Sequence, residues 1–389
     1  YERLKKYYTK FVNRRILLLT TPFRPNVGGV ETHLDDLIKN GNSLDWKFYV
    51  LTYQPLVTKS TGKTVEKEDS FTVYRIPWIR MNLFLKLTKY PILEFLYLFP
   101  GLFLFGIFFM LFKGRQISTI HAQGLVAGTI GITLGKIFDK PTVLSTHSIY
   151  NFPKSGLYTS FVKYLFNNCR HILTLSSQSE KEILDLGISK SRVSVFTYWV
   201  DQKVFKPLNK KSARLSLGLP DDTFICLFVG RLVPEKGIKE ILQAAKNTKK
   251  VCFLIVGDGP MEMDVQVEAK NVSNVIFKGR VDNSKLPLYY NAADVLLVPS
   301  THEEGFGRVI LEALSCGLPV VASNRGGIKE FLISEVGLLI DVTPQNIKDT
   351  LDDLFKDKKK VRSLAEGARR FAKIHFSSKN ASKIFKYYE

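Results

Sequence analysis

The stretch VPSTHEEGFGRVILEALSCGLPVVASNRGGIKEF, Val298 to Phe331, decides how the chain is organised. It reads as a strand over 292–299, an exposed acidic-glycine loop, a helix over 306–314, an apolar strand over 319–322 and a glycine turn. The helical part carries apolar residues at helical spacing, with Gly317 just past its end. Glu304 and Glu312 stand eight residues apart, a little over two turns. One therefore falls at the helix entrance and the other on its first or second turn. An entrance rich in backbone N–H groups attracts anions and hydroxylated ligands.

Working outward, 389 residues exceed one comfortable core. Two domains are expected, 1–200 and 201–389, the second ending in helices over 345–389. An apolar content of 45% with 24% charged residues excludes extensive disorder. Cys169, Cys226, Cys252 and Cys316 lie far apart in apolar runs without a CxxC pair, which points to buried thiols in a reducing compartment and to no structural metal. Net charge is +20 and uneven: residues 1–200 hold 26 Lys/Arg against 13 Asp/Glu, residues 201–389 hold 30 against 23. Such a field suits nucleic acid, an anionic membrane or phosphorylated substrates. Without a zinc finger or a compact basic recognition helix, nucleic acid is not an expected partner. No signal-peptide pattern is visible in the sequence.

Residues 1–12 are basic and aromatic, an amphipathic lead-in. Arg14 and Arg15 precede the apolar run ILLLT, then the loop TPFRPNVGG and a helix starting near Val30. Strand, glycine loop and helix open a nucleotide-binding type of α/β sheet, although GxGxxG is absent. The Gly28-Gly29 pair is either a plain turn or a place where backbone approaches a ligand closely. Strands follow at 48–52 and 71–76 with a polar turn or hairpin over 59–69. Trp78, Ile79, Met81, Leu83 and Phe84 then present apolar surface between Arg80, Lys86 and Lys89.

The run FLYLFPGLFLFGIFFMLF, Phe95 to Phe112, has 18 residues without a charge, at the edge of the transmembrane range. Crossing a bilayer would part strands that belong to one domain, and Pro100, Gly101 and Gly106 divide the run. A helix pair is expected, buried on one side and dipping into the membrane interface on the other, with Lys86, Lys89, Lys113 and Arg115 near anionic headgroups. Beyond it, His147 follows a strand over 142–146, on the edge of a parallel sheet that faces ligands. His33, His121 and His171 have weaker claims. Ser179 is expected to cap a helix over 179–186, with Glu182 as its reciprocal partner. A hinge over 199–211 leads to a second alternating domain. There Arg231, Lys236, Gly257, Gly279, Glu304 and Gly307 all follow strands, so they converge on one crevice. Arg231 and Lys236 suit a diphosphate, unless they merely pair with Glu235 on the surface. Glu312 suits a ribose diol and Glu304 sugar hydroxyls, while Glu303 reads as a solvated charge.

These motifs together resemble the retaining GT-B glycosyltransferases of family 4, and in particular their membrane-associated, lipid-glycosylating members. They are the E-x7-E pair Glu304 and Glu312, GLPVVAS, the GGIKE turn, Gly28-Gly29, VGR…EKG and VGDGP, spread from about Arg15 to Ile340. The resemblance implies two Rossmann-like parallel-sheet domains facing across a cleft, with C-terminal helices packing back toward the first. It implies a transferase moving a hexose-type sugar from a UDP- or GDP-sugar with retention, without a required cofactor or divalent metal. In it, Glu312 holds the ribose, and Arg231 and Lys236 neutralise the diphosphate. Backbone at Gly305, Phe306, Gly307 and Arg308 cradles phosphates and sugar, and Glu304 contacts the sugar. Gly28 and Gly29 approach the diphosphate from the other domain, and Gly257 belongs to the VGDGP donor turn. His147 lies near the transferred sugar, and Gly279, Arg280 and Val281 contact the base. One departure is TYWVD, residues 197–201, where the family often has PNGVD. The basic, apolar first domain implies a lipid acceptor with a phosphate or pyrophosphate head and an enzyme peripheral or monotopic on the cytoplasmic face of a membrane. The alternative is a soluble glycosyltransferase acting on a small sugar or polysaccharide, with 95–112 mostly core.

Overall fold

The computed structural model describes residues 14–26, 28–56, 60–79, 83–87 and 90–389. The expected lead-in over 1–12, and Lys59, Arg80, Met81 and Lys89, lie outside the described residues. The chain forms two compact units. The first takes the described residues up to Phe196 together with Lys379–Glu389, and the second is Thr197–Ser378.

The strands of the first unit are β1 (Arg15–Leu19), β2 (Lys47–Tyr53), β3 (Val65–Lys67), β4 (Phe71–Ile76), β5 (Thr119–Gln123), β6 (Thr142–Ser145), β7 (His171–Thr174) and β8 (Val193–Val195). They lie in the order β3-β4-β2-β1-β5-β6-β7-β8, parallel except for the β3–β4 hairpin. Ile16 to Leu19 are wholly buried, the pattern of a central parallel strand covered on both faces.

β1 pairs with β2 on one side and β5 on the other. Strands before and after the long apolar run therefore share one sheet, and the run cannot cross a bilayer while that sheet is intact. The expected helix pair is instead one continuous helix, Pro91–Lys113. Pro100 has no N–H and its ring disturbs the preceding turn, which would free carbonyls there. Around it, Tyr53 of β2 donates its hydroxyl to the Leu98 carbonyl, and Trp78, just past β4, donates Nε1 to the Tyr97 carbonyl at 3.0 Å. The Tyr53 oxygen also accepts the Leu102 N–H at 2.7 Å, inserting itself into the helix ladder. The glycines are contact points, not breaks: a Cβ on Gly101 would lie 2.6 Å from the Trp78 ring, and one on Gly106 2.7 Å from Leu134. Leu98, Leu102, Phe109 and Met110 are buried, whereas Leu104, Phe108, Leu111 and Phe112 are 59–70% exposed.

A second correction concerns the helix Ser177–Asp185, which starts earlier than expected. Ser176, not Ser179, is its cap and accepts the Ser179 N–H at 3.1 Å. Glu182 is thereby released from capping. The C-terminal segment closes the first unit: Thr119 donates to the Tyr388 carbonyl at 3.0 Å, and Tyr387 stacks on His171 with ring centroids 3.7 Å apart.

The second unit has β9 (Phe224–Val229), β10 (Val251–Val256), β11 (Val275–Gly279), β12 (Val295–Val298), β13 (Val320–Ser323) and β14 (Gly337–Ile340), in the order β11-β10-β9-β12-β13-β14. All its pairs are parallel. The winding direction reverses between β9 and β12, so the loops leaving these two strands bound a crevice at their carboxyl ends.

Tyr53→Phe removes one oxygen that serves two helix groups. The expected cost is roughly 1–3 kcal/mol, since buried polar groups are left unpaired. It is read as a lower urea midpoint at unchanged slope; an unaltered midpoint would remove Tyr53 from the account of the helix.

Candidate active site

The crevice of the second unit is assembled by close backbone packing. After β9, Pro234–Lys236 makes one turn of 3-10 helix, and Gly237 follows with φ of 73°. A Cβ there would collide with the Pro299 carbonyl at the end of β12, so only glycine lets the two loops meet. Thr301 N–H donates to the Glu235 carbonyl at 2.9 Å, completing the junction. On the other side, Gly326 (φ 57°) lies against the Glu304 backbone, and Gly327 N–H donates to the Glu304 carbonyl at 2.8 Å. Both ends of the stretch quoted first thus act on one residue.

Glu304 is buried rather than part of an exposed loop; Glu303 beside it is exposed. Its carboxylate accepts hydrogen bonds from Lys236 Nζ and Ser300 Oγ. Burial pushes its pKa up, but the Lys236 charge and the hydrogen bonds of Lys236 and Ser300 outweigh it, leaving the pKa below the ordinary value. Lys236 has three donors, so protons remain for an anionic ligand.

The helix Arg308–Ser315 starts at Gly307 and places Glu312 on its second turn. Glu312 is buried, with Oε2 accepting from Tyr290 Oη at 2.7 Å and Oε1 from Arg308 Nε at 3.1 Å. Arg308 also reaches the Trp199 carbonyl at 3.3 Å. Phe306 is buried, stacked on Phe331 at 4.3 Å. Arg231 is exposed and makes no ion pair among the described residues, with Glu235 or otherwise. Gly257 N–H donates to the Gly279 carbonyl at 2.8 Å, tying the ends of β10 and β11. Arg280 is exposed, 3.7 Å from Asp258, and Val281 is half-buried beside it.

The first unit carries the remaining candidates. Gly28 caps the helix Gly29–Asn42, which brings the His33 ring to 5.9 Å from that of His147. His147 Nε2 is 2.6 Å from Gln123 Oε1, and desolvation brings its pKa down to about 4. His121, bonded to Tyr388 and Ser145, is pushed down to about 3 by burial and then by His147. Sequence reading passed over Ser300, Tyr290 and Gln123. Ser300 could have been found from its place four residues before Glu304, and Arg308 with Glu312 from i,i+4 spacing; nothing local marks Tyr290.

Two adjoining family models match this chain: Glycosyltransferase Family 4 over residues 27–203 and Glycosyl transferases group 1 over residues 209–371. The chain belongs to the family 4 glycosyltransferases and has the GT-B type of fold, with two Rossmann-like units. Among characterised and uncharacterised relatives, an uncharacterized glycosyltransferase of Methanocaldococcus jannaschii is 24% identical over 382 residues, 96% of this chain and 97% of that one. The D-inositol 3-phosphate glycosyltransferase 2 of Catenulispora acidiphila is 34% identical over 236 residues, 54% of this chain and 55% of that protein. The phosphatidylinositol N-acetylglucosaminyltransferase gpi3 subunit of Schizosaccharomyces pombe is 25% identical, covering 86% and 71%. In fold, sucrose-phosphate synthase of Thermosynechococcus elongatus superposes with a TM-score of 0.80 at 23% identity, over 96% of this chain and 98% of that one. Anabaena HepE, solved in complex with UDP, gives 0.75 at 22% identity over the same shares.

Lys236→Ala strands the buried Glu304 carboxylate. Stability of the second unit is expected to fall by roughly 1–3 kcal/mol, and the double variant Lys236→Ala/Glu304→Gln to recover part of it, measured by denaturant unfolding. For the first unit, His121 and His147 have folded pKa values below the 6.5 of the free side chain. The unfolded chain therefore takes up protons first, and stability is lost as pH falls from about 6.5 toward 4. Melting scans at pH 7, 6 and 5 should show this fall, flattened in His121→Gln; a flat wild-type profile would contradict it.

Proposed function

We propose that the enzyme moves a hexose-type sugar from a UDP- or GDP-sugar, with retention, to a membrane lipid. The observation that carries the lipid reading is the helix Pro91–Lys113, long and apolar enough to cross a bilayer yet packed on a sheet, with its outer face exposed. Leu157, Phe161 and Tyr164 of the helix Leu157–Asn167 and Ile137 add exposed apolar surface in the same unit. Lys86 is exposed, and Lys113 and Arg115 at the far end of the long helix supply charge for anionic headgroups. The unit thus docks on the cytoplasmic face of a membrane without spanning it. The phosphatidylinositol N-acetylglucosaminyltransferase subunit among the relatives supports an acceptor of this kind, and the UDP complex of HepE supports a nucleotide-bound donor.

In this reading the bond between the anomeric carbon and the diphosphate oxygen breaks, and its electron pair leaves with the diphosphate. The acceptor hydroxyl oxygen bonds to the same carbon on the same face, and its proton passes to the departing diphosphate or to water. Arg231 and Lys236 stabilise the charge on the leaving group. Glu312 holds the ribose and Glu304 the sugar, with Glu304 fixing Lys236. Gly305 to Arg308 supply backbone to the phosphates, Gly257 to the donor turn, and Gly279, Arg280 and Val281 meet the base.

A panel of nucleotide-sugars, with and without membrane-lipid extract, tests the reaction. Sugar is expected in the organic phase with one donor, and lost in Lys236→Ala and Glu312→Gln; transfer only to water-soluble acceptors would overturn the lipid reading. Docking is tested separately with Phe108→Glu/Leu111→Glu. Losing two apolar side chains from the interface should weaken binding to anionic vesicles at least tenfold, and equal co-sedimentation would remove this helix from the interface.

A further inference from the structure

The loop over 148–156, between β6 and the helix Leu157–Asn167, has no part in the donor chemistry, yet it is held firmly. Glu182, the carboxylate released from capping, accepts the backbone N–H of Tyr150 at 3.1 Å and of Asn151 at 2.5 Å. Spending a side-chain anion on two loop amides fixes the direction in which the loop presents its side chains. Tyr150 stacks on Phe152 at 5.2 Å, and its hydroxyl lies over Gly124: a Cβ at Gly124 would meet that oxygen at 3.9 Å and nothing else within 4 Å. Space therefore opens at the carboxyl end of β5, beside a hydroxyl. Gln123, the last residue of β5, is 4% exposed, and its Oε1 is bonded to His147 while its Nε2 has no hydrogen-bond partner. A buried amide donor with nothing to donate to is costly unless a ligand or water completes it.

Tyr150 keeps its proton. Burial first, then Tyr158, Glu94 and Glu182, push its hydroxyl up, which keeps it a neutral O–H donor. Glu94 comes from the first turn of the long apolar helix. Lys154, the loop's only cation, is exposed and takes no part in these contacts. These contacts offer a phosphate no cation and set the Glu182 carboxylate beside it, whereas a hydroxyl can accept from the Tyr150 O–H and from Gln123 Nε2. The apolar face reaches the same place: Leu157, Tyr158 and Phe161 leave the loop exposed, and Phe161 packs on Phe95 with ring centroids 6.1 Å apart.

We infer that Tyr150 and Gln123 form the subsite that takes the acceptor, an uncharged, hydroxylated head group of a lipid, and that Glu182 is its positioning residue. This rests on the lipid-acceptor reading above and corrects its expectation of a phosphate at the reacting end. The head group enters where the apolar helices meet the sheet edge, with its lipid chains along their exposed faces.

The test uses the full chain with the donor found in the panel and three acceptors: vesicles carrying neutral monoglycosyl diacylglycerol, vesicles carrying phosphatidate, and soluble methyl glycoside. The glycolipid is expected to be the acceptor. Tyr150→Phe should raise its KM about five- to tenfold, the worth of one hydrogen bond, without changing the donor KM. Glu182→Ala should raise the acceptor KM more than Glu182→Gln, which keeps one acceptor oxygen, and melting temperatures taken alongside separate this from misfolding. An unchanged acceptor KM in Tyr150→Phe overturns the subsite, as does preference for phosphatidate; equal use of methyl glycoside overturns its lipid part. Should the wild type label the lipid extract but not the glycolipid, this inference fails alone. If it labels no lipid at all, the underlying reading fails first.

Discussion

The second unit depends on one buried carboxylate. Glu304 stands at the reversal point of its sheet, where loops from β9, β12 and the turn after β13 have to meet. A carboxylate out of water is tolerable only with its lone pairs occupied and a cation beside it. Lys236 and Ser300 provide this. Those partners reach it only because Gly237 and Gly326 let three backbones approach more closely than any side chain would allow. The lysine that would meet a departing diphosphate is therefore oriented before any ligand arrives. Catalysis by charge stabilisation gains most from donors that need not reorganise during the reaction.

The first unit is governed by a different constraint, a helix with too much apolar surface for the core that receives it. One stripe is absorbed by the sheet, and Tyr53 and Trp78 bond carbonyls beside Pro100. The other stripe, with Leu104, Phe108, Leu111 and Phe112, is left exposed by the described residues of the unit. A large exposed apolar patch is unusual in a water-bathed domain and ordinarily marks a surface used for binding. The membrane docking and the acceptor subsite proposed above both rest on that placement.

Much of this was legible locally. Alternating apolar runs and glycine loops announced two parallel-sheet units, and most strand positions agree within a residue or two, as with Phe71–Ile76. The approach of Lys236 and Glu304 followed from the convergence of strand ends. The errors share a cause. Pro100 and the neighbouring glycines read as breaks because local rules contain no Tyr53 or Trp78, residues distant in the chain that bond and pack the helix around Pro100. Ser179 read as a cap because the spacing to Glu182 was right, but Ser176 starts the helix earlier and the β6 loop claims Glu182.

By itself, the sequence determined the class of fold, the order of its elements and the residues offered for phosphate and sugar chemistry. These depend on periodicity, on residue type and on which loops follow which strands, all of them properties of neighbouring residues. Tertiary structure alone decided that Glu304 is buried and already paired, that the apolar run is one continuous helix exposed on one side, and that Glu182 serves a loop rather than its own helix. Each of these is settled by which distant group supplies a hydrogen bond or covers a surface, and no local pattern carries that information.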